Sequence, residues 1–227
     1  MFLDYYYIVL VVPALIFALI AQVQVKSTFN RYSHVPNRRQ YTGAMVARQI
    51  LDANGLTNIR LERVSGELSD HYDPRAGVIR LSDSTYNSTS VGAIGVAAHE
   101  VGHAIQYQVG YLPIKIRNAI IPVTQLGSSL AIPIAVVGLI MGMDLLVQVG
   151  ILLFCAVVVF QLITLPVEFN ASRRAMETLD NDHILEGDEL RGARKVLSAA
   201  AMTYVASLIV AVANLLRLLA LRNRNRR

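Results

Sequence analysis

Five residues, His99-Glu100-Val101-Gly102-His103, set two imidazoles four positions apart with a carboxylate beside the first. On a helix this spacing puts both rings on one face, one turn apart, so both can reach one metal ion. Glu100 is rotated off that line, toward a water on the ion rather than the ion itself. Zinc suits such a pair, because it takes imidazole nitrogen readily and imposes no strong geometry of its own. The neighbours Ala97, Ala98, Val101, Gly102, Ala104 and Ile105 are uncharged. A solvated helix would carry more charge. Metal coordination accounts for two histidines and a carboxylate in that company; the alternative is a buried polar cluster satisfied by hydrogen bonds.

A catalytic zinc takes three protein ligands and keeps a position open for water. A longer form of the motif needs Gly at 106 and His at 109, but those positions hold Gln106 and Val109, which excludes it. The remaining candidates are His34, His71, His183 and Glu168. Glu168 is favoured. It ends an apolar run, where a carboxylate is costly unless paired, and two histidines with one glutamate form a known catalytic zinc set. The alternative is an interfacial charge that stays hydrated. Zinc held by His99, His103 and Glu168 would bring the pKa of a bound water toward about 7. Glu100 would act as the general base and pass the proton to the leaving amine. Candidates to stabilise the transition state are His183 and Tyr204, then Arg173 and Tyr107, each more readily structural than catalytic.

Those residues must be positioned by a chain that is 54% hydrophobic and 16% charged, against about a quarter charged in soluble domains. The excess lies in long uncharged runs, each near the roughly twenty residues that cross a bilayer as a helix. They are Tyr5 to Val25, Ala119 to Met143, Leu145 to Val167 and Leu197 to Leu216. The first has no basic region before it and is long for a signal peptide, so it reads as an uncleaved anchor. None alternates with period two, which excludes a barrel. Pro122 and Pro133 are expected to kink the second run, and Gly127, Ser128 and Ser129 suit close helix packing. Cys155, inside the third, reads as a buried structural thiol.

The net charge of +5 comes without a nucleic-acid reader module, and the basic residues flank the runs. No nucleic-acid partner is expected; the bilayer is. Lys26, Arg31, Arg38, Arg39, Lys115, Arg117, Arg173, Arg174, Arg191, Arg194 and Lys195 lie on the side of the histidines, and Arg222, Arg224, Arg226 and Arg227 on the other. The larger set places the catalytic side in the cytoplasm of a multi-pass cell-membrane protein.

Between the first two runs, Thr42 to Ala53 has helical spacing and stops at Asn54-Gly55. Asn58 to Val64, Leu68 to Tyr72 and Val78 to Leu81 read as strands of a small antiparallel sheet. Ser88, Thr89 and Ser90 offer N-caps for a helix running to about Gln108. Val78 to Leu81 would be either the edge to which an extended peptide adds or an ordinary core strand. The fold class is therefore mainly α, about four membrane helices plus a small zincin-like α+β region. The chain reads as one membrane domain, 1–227, with its polar catalytic region at about 26–118 and 168–196.

Asp73-Pro74-Arg75 with Val78-Ile79-Arg80-Leu81-Ser82, then Ala97-Ala98-His99-Glu100-Val101-Gly102-His103-Ala104-Ile105-Gln106, then Leu165-Pro166-Val167-Glu168-Phe169-Asn170-Ala171-Ser172, resembles the YugP-type neutral zinc metallopeptidases, bacterial membrane proteases. The likeness extends over nearly the whole chain. More distantly, Glu168-Phe169-Asn170-Ala171 resembles the third-ligand helix of HtpX-like and CAAX-prenyl-type gluzincins. The resemblance implies Glu168 as third ligand and a multi-pass membrane location, and it does not identify a substrate; the cofactor expected is one Zn2+ per chain, and the partner expected besides the bilayer is a peptide or membrane-protein substrate. Those relatives usually carry Asp where this chain has Ser172, so Asn170 or Ser172 is left to orient a ligand histidine. The rival readings are a non-catalytic zinc scaffold, which would be closed by four protein ligands; a site-2-type intramembrane protease, whose Asn-Pro and Asp-Gly ligand segment is absent; and a transporter, disfavoured by runs almost free of charge.

Overall fold

The computed structural model describes residues 4–225; Met1, Phe2, Leu3, Arg226 and Arg227 lie outside the described residues, so the last two tail charges have no structural account. A π-helical turn, Tyr7–Val11, leads into α1 (Val12–Ser33). Then follow α2 (Gly43–Ala53), β1 (Arg60–Val64), β2 (His71–Asp73), β3 (Val78–Ser82), α3 (Val91–Gln108), α4 (Leu112–Met141), α5 (Asp144–Asn181) and α6 (Asp188–Asn225). Four helices are long and apolar enough to cross a membrane: Tyr7–Ser33, Leu112–Met141, Asp144–Asn181 and Asp188–Arg224. The fold is mainly α with one small sheet, as expected. The helices outrun the apolar stretches because helix continues past the last lipid-compatible residue. Pro122, Pro133 and Pro166 all lie inside helices.

The chain forms two compact units. One holds the chain up to Gln22, then Leu112–Pro166, then Met202 onward. Its core is Ala131, Ala135, Val147, Ile151, Phe154, Ala211 and Leu218, and Cys155 is only partly buried against it. Gly150 permits a close backbone approach of α4 and α5: a Cβ there would lie 2.6 Å from the Ala131 carbonyl oxygen. Leu126, Ile140, Leu152 and Leu162 point outward. Arg217 donates to Asp4 at 2.7 and 2.9 Å with both side chains buried, and Arg222 Nε donates to Asp144 at 2.9 Å.

The other unit holds Val23–Tyr111 and Val167–Ala201. Thr42 caps α2 by accepting from the Met45 N–H, and Gly55, at φ +71°, turns the chain away after Asn54. The apolar face of α2 (Val46, Ile50, Leu51) packs with Ile79, Leu81, Ile94, Val101, Leu179 and Leu185 into one core.

The sheet is mixed rather than antiparallel. Its order is β1-β3-β2, with β1 parallel and β2 antiparallel to β3. The strands' own composition explains this order. Val78, Ile79 and Leu81 are fully buried, so β3 takes the centre. β1 and β2 carry the charges that edges tolerate. Arg80 on β3 ties both edges, with Nε on Glu62 at 3.1 Å and Nη1 on Asp73 at 3.4 Å. The loop from Ser65 to Asp70, with Gly66 at φ +107°, separates β1 from β2, and Asp73 Oδ1 closes the turn into β3 by accepting from the Arg75 and Ala76 N–H groups. Val78–Ser82 is thus a core strand, paired on both sides, and not an edge open to a peptide.

Candidate metal centre

Ser90 starts α3 by accepting from the Ala93 N–H, and the helix is buried along nearly its whole length. Within the polar unit α3 crosses α5 at Gly102. A Cβ at Gly102 would stand 2.7 Å from the Ala171 carbonyl oxygen. Only glycine allows that approach, and it turns His99 and His103, on one face of α3, toward Glu168 on α5.

The ligand atoms converge. His99 Nε2 lies 3.3 Å from Glu168 Oε2, and His103 Nε2 lies 3.6 Å from it. The imidazoles stand edge-on, with centroids 4.7 Å apart and planes at 83°. One ligand atom from each residue lies within 4.8 Å of the other two. Zinc bonds of about 2.0–2.1 Å at tetrahedral angles set ligand atoms roughly 3.3–3.4 Å apart. The two glutamate distances match that edge, and two imidazoles with a carboxylate are zinc donors by chemistry, so these residues fit the ion. Glu100 is buried but stands outside the converging set, as its rotation on the helix demands. His34 and His71 stand outside it too: the His34 ring bonds to the Asn30 carbonyl and the His71 ring to that of Ser69.

The Nδ1 atoms of both histidines are engaged as well. His99 Nδ1 lies 3.1 Å from Ser172 Oγ. His103 Nδ1 lies 3.0 Å from Gln106 Oε1, and Gln106 Nε2 donates to the Val167 carbonyl at 2.8 Å and to Asn170 Oδ1 at 3.0 Å. Ser172 thus contacts one candidate ligand histidine, His99, directly, and Asn170 reaches the other, His103, through Gln106. Sequence reasoning passed over Gln106, using it only to exclude a longer motif. A signal was present, since a polar amide three residues after His103 shares that histidine's helix face.

Two suggested transition-state stabilisers fare differently. His183 sits past the end of α5 at φ +51°, with its ring 73% exposed and 3.9 Å from Glu186. The helix from Glu168 to Asn181 alone spans about 20 Å, so His183 is too far to serve; its place after the helix end, in the loop to α6, puts it there. Tyr204 lies on α6 in the other unit. Arg173 pairs with Glu177 and is exposed, and Tyr107 meets Tyr72 edge-on at 5.7 Å.

Over residues 7–223 the chain matches the family described as "Putative neutral zinc metallopeptidase". It belongs to that zinc metallopeptidase family. It is 47% identical over 211 residues to "Putative membrane protease YugP" of Bacillus subtilis (strain 168), covering 93% of this chain and 94% of that protein. No solved structure matches it.

The packing of this family member makes Gly102 critical to its candidate metal site. Gly102→Ala is expected to force α3 and α5 apart, costing about 1–3 kcal/mol and weakening zinc binding. Thermal melts with and without zinc measure both effects.

A second expectation concerns pH. Burial disfavours the His103 imidazolium, but the Glu168 carboxylate, then Glu100, outweighs burial and holds its pKa above the ordinary value. In the zinc-free protein this stabilisation is full below the unfolded-state pKa of about 6.5 and is lost as pH rises through the raised folded value. Zinc needs the neutral ring, so its stabilisation grows over the same rise. Melting temperature is therefore expected to fall with rising pH in the zinc-free protein, while the increment from added zinc widens.

Proposed function

We propose that this chain is a multi-pass membrane endopeptidase of the gluzincin type, with one zinc held by His99, His103 and Glu168 and with Glu100 as general base. The observation that carries this reading is the pair of distances, 3.3 and 3.6 Å, from the two Nε2 atoms to one glutamate oxygen. When bound, zinc supplies Lewis acidity that polarises the scissile carbonyl and activates water. Glu100, buried one residue after His99, takes a proton from the attacking water and delivers it to the leaving amine. His99 and His103 would hold the ion through Nε2, the atoms that face Glu168, while Ser172 and Gln106 occupy Nδ1. The polar unit's own packing favours β2 as the edge for an extended peptide, since Tyr72 on that strand meets Tyr107 of α3.

The chemistry suits peptide segments of membrane proteins, because Glu168 comes two residues after Pro166 on a helix of bilayer-crossing length. The basic residues around the polar unit support a cytoplasmic catalytic side, and Arg222, one of the arginines that count the other way, is engaged by Asp144. A closed structural site is less well supported, because the converging group among the described residues has three members rather than four.

The test uses the full chain purified in detergent. Peptide hydrolysis is expected to vanish on chelation and return with zinc. Hydrolysis indifferent to chelation would overturn the zinc mechanism.

A further inference from the structure

Gln106 is 0% exposed, and the chemistry of its partners leaves its amide one orientation. The Val167 carbonyl can only accept, so the Gln106 atom facing it must be the NH2 group. A second lock is independent. Arg174 Nε lies 2.9 Å from Asn170 Oδ1, and a guanidinium only donates, so that Asn170 atom is the oxygen. Gln106 meets the same oxygen at 3.0 Å, which again demands NH2. Its Oε1 must then face His103 Nδ1, and that nitrogen must carry the hydrogen. The proton is thereby held off Nε2, the atom that turns toward Glu168.

We propose that Gln106 is a positioning residue that fixes the His103 tautomer and, through the Val167 carbonyl, ties the same side chain to α5 one residue before Glu168. The chain of bonds runs Arg174, Asn170, Gln106, His103, and each member's polarity is set by the one before. His99 has no such lock, because the Ser172 hydroxyl can donate or accept. The metal consequence rests on the zinc reading above; the tautomer does not.

The experiment measures ring 15N shifts of His103 in zinc-free, histidine-labelled full chain, at a pH where the ring is neutral, with His103→Asn identifying its signals. The expected wild-type pattern is hydrogen on Nδ1 and a bare Nε2. Hydrogen on Nε2 would overturn the proposal in the wild-type chain itself. Gln106→Met keeps the bulk and loses every bond; it should release the tautomer and weaken zinc binding about 10–100-fold by chelator competition. Gln106→Glu should keep the Nδ1 hydrogen, since a carboxylate accepts it, yet weaken zinc binding because it meets two oxygens on α5. Unchanged His103 shifts in Gln106→Met would also overturn the lock. If wild type takes up no zinc, the zinc reading fails while the shifts still decide the role of Gln106.

Discussion

Glu100→Gln is expected to keep zinc at the wild-type level and to slow peptide hydrolysis by about 10²–10⁴-fold. The amide has nearly the shape of the carboxylate but cannot accept a proton from water. Glu100 is buried and lies outside the converging set, so its loss should leave the ligands as they are. Zinc content by elemental analysis and hydrolysis of a reporter peptide check the two halves together. Equal rates in both proteins would remove Glu100 from the mechanism, and loss of zinc would make it a ligand instead.

Glu168→Ala is expected to abolish zinc retention. The side chain is 3% exposed, and one of its oxygens is the atom both imidazoles approach. Removing it leaves two ligands on one helix, which is below what a catalytic zinc requires. Loss should exceed the roughly 10–100-fold typical of a group that merely supports a ligand. Activity should fall with occupancy and return only at zinc concentrations that refill a two-histidine site. Unchanged occupancy would mean that another residue is the third ligand.

Much of this site was legible in the residues. The four-residue spacing of His99 and His103, the uncharged flanks and the stop at Asn54-Gly55 each state a local rule, and local rules survive into the fold. Glu168 was legible because a carboxylate at the end of an apolar run needs a partner. Gln106 was not, because its role depends on Val167 and Asn170, sixty-one and sixty-four residues away in sequence. The sheet was misread for a related reason. β1, β2 and β3 were each recognisable, but which strand sits in the middle follows from comparing their burial. β3 outcompetes its more polar neighbours for the centre, and this reverses the pairing direction with β1. The closeness of α3 and α5 was likewise invisible, since Gly102 looks like any small residue until Ala171 stands against it.

The central claim is a zinc held by two imidazoles and a carboxylate on α3 and α5. Zinc K-edge absorption of the purified wild-type chain tests it most directly. The expected spectrum fits four light ligands at about 2.0–2.1 Å, with the outer-sphere scattering of two imidazoles. A sulfur ligand at about 2.3 Å, or imidazole scattering from three or four rings, would contradict it.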